Sequence, residues 1–136
     1  MSPSGQPAPA ERPRVLVIEP DTGLRGLMVR ALEEYRYRVL GTSDLDSGPE
    51  LLRLGLPVAL VVTNVRLDVE SNIRYLERLQ SEFPAIPVLH LAASIYHRAR
   101  RVSATGFDVE MFITAVRDCI ATGICDPPRE VTAGRA

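Results

Sequence analysis

Glu19 and Asp21 flank Pro20 directly after the apolar run Val15–Ile18. Two carboxylates so placed are oxygen ligands for a hard cation such as Mg²⁺. Asn64, directly after the run Val58–Thr63, adds a neutral amide oxygen. Mg²⁺ gives up its water reluctantly. Glu19, Asp21 and Asn64 are therefore weak metal candidates, and no cofactor is expected. Asp21 also suits a helix N-cap, which is the stronger reading of that residue. His90 lies inside the apolar segment Val88–Ala92 and reads as a core residue, since no His or Cys stands at metal spacing to it. Cys119 and Cys125 have neither zinc-knuckle nor CxxC spacing. His97, Arg98, Arg100 and Arg101 form a local basic cluster suited to an acidic partner or to a solvated loop.

All 16 basic residues are arginine, which excludes the lysine of a phosphate-binding P-loop and any lysine Schiff base. Asp21–Gly26 (DTGLRG) lacks the G-x-G of a dinucleotide site. No nucleophile–base pair is visible, so an enzyme is not expected. The formal net charge of −1 and the aromatic content of 5% give no nucleic-acid signature. Apolar runs are too short to span a membrane, and no apolar leader opens the chain, so a cytoplasmic protein is expected.

The elements that must position these residues follow from patterning over 136 residues, about one domain. Residues 1–13 are rich in Pro, Ser and Ala and read as a disordered tail; 122–136 read as a flexible tail or linker. Between them, 14–121 form the folded core. Strands are expected at Val15–Ile18, Tyr37–Leu40, Val58–Thr63 and Val88–Ala92. The spacing of Leu24, Leu27, Met28, Ala31 and Leu32 predicts one helix. Ser47–Gly48–Pro49 start a second, Ile73, Leu76, Leu79, Gln80 and Phe83 mark a third, and Asp108 caps a last one running to Ile120. Alternating strands and helices predict a doubly wound parallel sheet between two helical layers, with ligands beyond the carboxyl ends of the strands.

In that order the segments resemble a response-regulator receiver domain of the CheY-like family over roughly Arg14–Ile120. VLVIEPDTGLRGLMVRALEEYRYRV resembles the opening strand, acidic cluster, helix and turn; SDLDSGPELLRLGLPVALVVTNVRL resembles the second helix and phosphoacceptor strand. FPAIPVLHLAA and TGFDVEMFITAVRDCI resemble the fourth strand and the last turn and helix. The resemblance implies a five-stranded flavodoxin-like sheet, an acidic pair that holds Mg²⁺, an acceptor aspartate, a Ser/Thr hydroxyl and a lysine.

The chain departs from this set at nearly every position, and of the acidic pair one carboxylate survives. The acidic pair is Glu19 and Pro20, the acceptor is Asn64, the hydroxyl position is Ala92, and the lysine position is Thr105. Together with Asp21 these form a vestigial phosphorylation pocket. Asp68 is a loop or cap carboxylate with no site around it, and the Thr63 hydroxyl is expected to face away from the acceptor. Only eleven residues separate Ala93 from Thr105, so the fourth helix or fifth strand must be shortened, the helix near Ile95–Ala99 or the strand near Arg101–Ala104. The expected function is that of a degenerate receiver, a phosphorylation-independent protein-interaction module in two-component signalling. Its partner would be a histidine kinase, a regulator or a second copy of the chain. Tyr96, His97, Arg98, Arg100 and Arg101, with the first and last helices, are the candidate partner face. The alternative is a doubly wound domain that senses a small molecule or metal in the former pocket.

Overall fold

Val15, Leu16, Val17 and Ile18 carry no polar side chain, and each is fully buried in the computed structural model, which describes residues 12–65, 68–91 and 108–125. A strand buried on both faces must be covered by helices on both sides. The described elements are β1 (Arg14–Ile18), α1 (Thr22–Glu34), β2 (Arg38–Thr42), α2 (Ser47–Arg53), β3 (Leu60–Thr63), α3 (Glu70–Glu82), β4 (Val88–His90) and α4 (Val109–Thr122). The described strands form one parallel sheet in the order β2-β1-β3-β4. This is the start of the flavodoxin-like order, whose chain reversal lies between β1 and β3. The expected fifth strand and reduced fourth helix lie outside the described residues, as does all of 92–107.

The helices form two layers. On one face Val15, Val17, Leu60, Val62 and Leu89 pack with Met28, Ala31 and Leu32 of α1 and Phe112, Ile113, Val116 and Cys119 of α4. On the other, Leu16, Ile18 and Val61 pack with Leu52 of α2 and Leu79 of α3. A bidentate Arg53–Glu82 pair joins the ends of α2 and α3, with Nη2 donating to Oε1 at 2.8 Å.

Side-chain caps start α1 and α4: Leu24 N–H donates to Asp21 Oδ2 at 2.7 Å and Met111 N–H to Asp108 Oδ1 at 3.0 Å. Gly123 adopts φ 74°, the left-handed conformation that ends α4. Two expected stripes sit differently. Leu27 is 45% exposed, because the buried face of α1 centres on Met28 and Leu32, and Leu27 lies about 100° around the helix from Met28. Ile73 is exposed, and Tyr75 takes the inward place on α3 beside Leu79. Among the described residues no helix is long and apolar enough to cross a membrane.

Candidate functional site

β1 and β3 end in register, with Ile18 beside Thr63. The next residues, Glu19 and Asn64, therefore leave the sheet side by side at its carboxyl edge, at the point where strand order reverses. Glu19 continues the ladder by donating its N–H to Thr42 O at 3.0 Å. Its side chain is buried, 5% exposed. Glu19 Oε2 accepts the Asp21 N–H at 2.9 Å, while Oε1 is buried with no hydrogen-bond partner. Burial pushes the Glu19 carboxyl above the usual range, and the Asp21 charge adds to this; the hydrogen bond from the Asp21 backbone and the nearby Arg25 guanidinium oppose it.

The loop that carries Glu19 is pinned from α1. Arg25 Nη1 donates to Glu19 O at 2.8 Å. Pro20 and Asp21 are exposed, and the Asp21 carboxylate is committed to the helix cap. Asn64 is half-buried. Beyond it, the buried Val65 is held by His90: Val65 O accepts the His90 Nε2–H at 2.6 Å, which fixes the Nε2–H tautomer. His90 Nδ1 is buried without a partner, and burial lowers the imidazole from its ordinary pKa. Thr63 is fully buried, and strand alternation places it on the opposite face from Asn64.

Sequence reasoning had no signal for the Arg25 strap or for the His90–Val65 bond, since both link a side chain to a backbone carbonyl. Ala92, Thr105, Tyr96, His97, Arg98, Arg100 and Arg101 lie outside the described residues. Asp68 is exposed at the start of the turn into α3.

The chemistry of the edge follows from its donors. A carboxamide at Asn64 has no carboxylate oxygen with which to form an acyl phosphate. The metal that the resemblance implies, Mg²⁺, does not fit the residues present. Glu19 offers one free carboxylate oxygen, Asp21 is turned to its cap, and Asn64 is neutral. Among the described residues no group of three His, Cys, Asp or Glu side chains could hold a metal.

No family model and no curated protein matches the sequence. Solved structures do match in fold. A response regulator from Thermotoga maritima superposes with a TM-score of 0.64 at 19% identity, covering 81% of this chain and 98% of that one. A LuxR family DNA-binding response regulator from Silicibacter pomeroyi gives 0.63 at 20% identity, covering 82% and 93%. The non-phosphorylated HemR receiver domain from Leptospira biflexa gives 0.59 at 24% identity, covering 80% and 94%. These neighbours share the parallel sheet and helical layers described above, and the chain has the fold of a response-regulator receiver domain.

Proposed function

We propose that this chain is a degenerate receiver, a cytoplasmic, non-enzymatic interaction module of two-component signalling whose output does not depend on phosphorylation. The observation that carries the reading is Asn64, which stands where β3 leaves the sheet beside a single buried carboxylate, Glu19. A phosphoryl group transferred to this edge would find neither an acceptor carboxylate nor a charged metal site. The receiver fold of the neighbours supports signalling as the setting, and a histidine kinase, a regulator or a second copy of the chain as the partner. The interaction face would combine the exposed side of α1, α4 and the segment with Tyr96, His97, Arg98, Arg100 and Arg101.

The test is incubation of the full chain with acetyl phosphate and Mg²⁺, followed by intact-mass measurement. The expected result is an unmodified mass with unchanged partner capture. An acyl-phosphate adduct, mapped to Asp68 or Asp21, would overturn the proposal.

One observation favours a second reading, a ligand-sensing pocket. Glu19 Oε1 is a buried acceptor without a donor, which a small ligand bearing an N–H or O–H would satisfy. Such a ligand would raise the unfolding temperature of the parent chain and not that of Glu19→Gln.

A further inference from the structure

α2 and α3 face each other across a groove of about 290 Å³, and each lends it one helical stripe. Asp46, the residue before α2, is followed at i+3, i+4 and i+7 by Pro49, Glu50 and Arg53. Tyr75, Arg78, Leu79 and Glu82 repeat that spacing on α3. Stripes that helices turn towards a neighbour are ordinarily apolar. Here five of the eight residues are charged. Arg53 and Glu82 answer each other in a bidentate pair that spans one end of the groove. Glu50 and Arg78 stand about one turn in from that pair, on opposite walls, and reach it only as more distant charges. Among the described residues, neither they nor the Asp46 carboxylate makes a side-chain hydrogen bond or an ion pair. The floor between the walls is apolar. Leu79 is buried, and the Tyr75 ring is slotted into the room that Gly48 leaves, its hydroxyl 2.8 Å from where a Cβ would stand.

We propose that this groove binds a free aliphatic amino acid as its zwitterion, with the ammonium on Asp46 and Glu50, the carboxylate on Arg78 and the side chain over Pro49 and Leu79. A guanidinium fork matches the two oxygens of a carboxylate, and an ammonium brings three donors to the acidic wall. Each half of a zwitterion therefore meets the opposite charge. A simple anion would be repelled by Asp46 and Glu50, and a simple cation would leave Arg78 unanswered. The volume falls at the small end of small-molecule sites, which suits a ligand of this size. The groove uses none of the residues of the Glu19–Asn64 edge, and the site stands whether or not the chain serves as a signalling module.

The test titrates the full chain with L-leucine in low-salt buffer, reading heat and amide NMR shifts. Low salt matters because ions screen exposed charges. Two analogues each keep one charge of leucine: 3-methylbutylamine the ammonium, 4-methylpentanoate the carboxylate. Leucine should saturate, with shifts confined to Asp46–Arg53 and Tyr75–Glu82. It should bind at least about tenfold more tightly than either analogue, the worth of one charge-assisted contact. Glu50→Gln and Arg78→Gln should each weaken leucine by a similar factor. Both side chains are exposed, so neither change disturbs the core. Arg74→Gln, whose ion pair with Glu70 lies outside the groove, should leave the affinity unchanged. Four outcomes would overturn the proposal: no saturable binding of leucine, an analogue that binds as tightly as leucine, binding unchanged in both groove variants, or an equal loss in Arg74→Gln.

Discussion

Glu19 is buried and His90 half-buried, and the loss of solvent moves these titratable groups in opposite directions because it penalises whichever form is charged. The Glu19 carboxyl is raised. Its contribution to stability is fully present below the ordinary value of 4.5 and is lost as pH rises through the folded-state value. Glu19→Gln removes that dependence. Urea unfolding across the acidic-to-neutral range should show the parent losing ground to Glu19→Gln as pH rises; a gap that is constant with pH would contradict the burial argument. The His90 imidazole is lowered. Its contribution is present above the ordinary 6.5 and is lost as pH falls through the folded-state value. His90→Gln keeps an N–H donor near Val65 O and cannot titrate. The parent should therefore weaken relative to His90→Gln on acidification. Asp21 makes a third residue-scale case. If its carboxylate is a cap, Asp21→Asn retains stability, since Asn caps equally well, while Asp21→Ala costs about 1 kcal/mol. Equal loss in both variants by thermal unfolding would show that the charge matters more than the cap.

At the scale of elements, the contact between α2 and the sheet turns on one glycine. A Cβ on Gly48 would stand 2.5 Å from Ile18 Cδ1 and 2.8 Å from Tyr75 Oη. Alanine ordinarily gains about 0.5–1 kcal/mol over glycine inside a helix. Here the sign should reverse, because Ile18 is fully buried and overpacking a core site costs about 1–3 kcal/mol. The Tyr75 hydroxyl at the same contact is buried without a partner. Tyr75→Phe should thus be neutral or stabilising, and it should recover part of the Gly48→Ala loss in the double variant. Denaturant midpoints for the four chains check this; strict additivity would mean that the two sites do not share a contact. The same contact shows where sequence reading stopped. The β1 and β3 segments were legible because unbroken apolar runs such as Val15–Ile18 admit few other placements. Asp21 and Asp108 were legible as caps because a cap is a local event. The inward turn of Tyr75, the exposure of Leu27 and the His90–Val65 bond depend on how distant elements meet, and spacing along one helix or strand does not encode that. At the carboxyl edge, the residue types at Glu19 and Asn64 were legible, whereas the unpartnered Oε1 and the Arg25 strap required three dimensions.

At the scale of the whole molecule, the two helical layers are unequal. α1 and α4 bury Met28, Ala31, Leu32, Phe112, Ile113, Ala115, Val116 and Cys119 against the sheet. Among the described residues, α2 buries Leu52 and the side-chain-free Gly48, and α3 buries Leu79 alone. Apolar burial contributes about 25 cal/mol per Å², so the first layer is tied to the sheet far more strongly than the second. The Arg53–Glu82 pair does little to redress this, since both side chains are substantially exposed. Local opening follows local burial, and amide exchange reports it. Native-state hydrogen exchange should therefore find the amides of α2 and α3 opening at lower free energy than those of α1 and α4, with β1 and β3 slowest. Glu19 projects from β1 and is strapped by Arg25 of α1, so the carboxyl edge should exchange with the slow layer. A partner that docks on α1 and α4 would meet a rigid face, and the second layer could loosen without disturbing the edge. If α2 and α3 instead exchange as slowly as α4, the sheet and both layers open as one unit, and the half-buried side chains of the second layer hold it as firmly as the first.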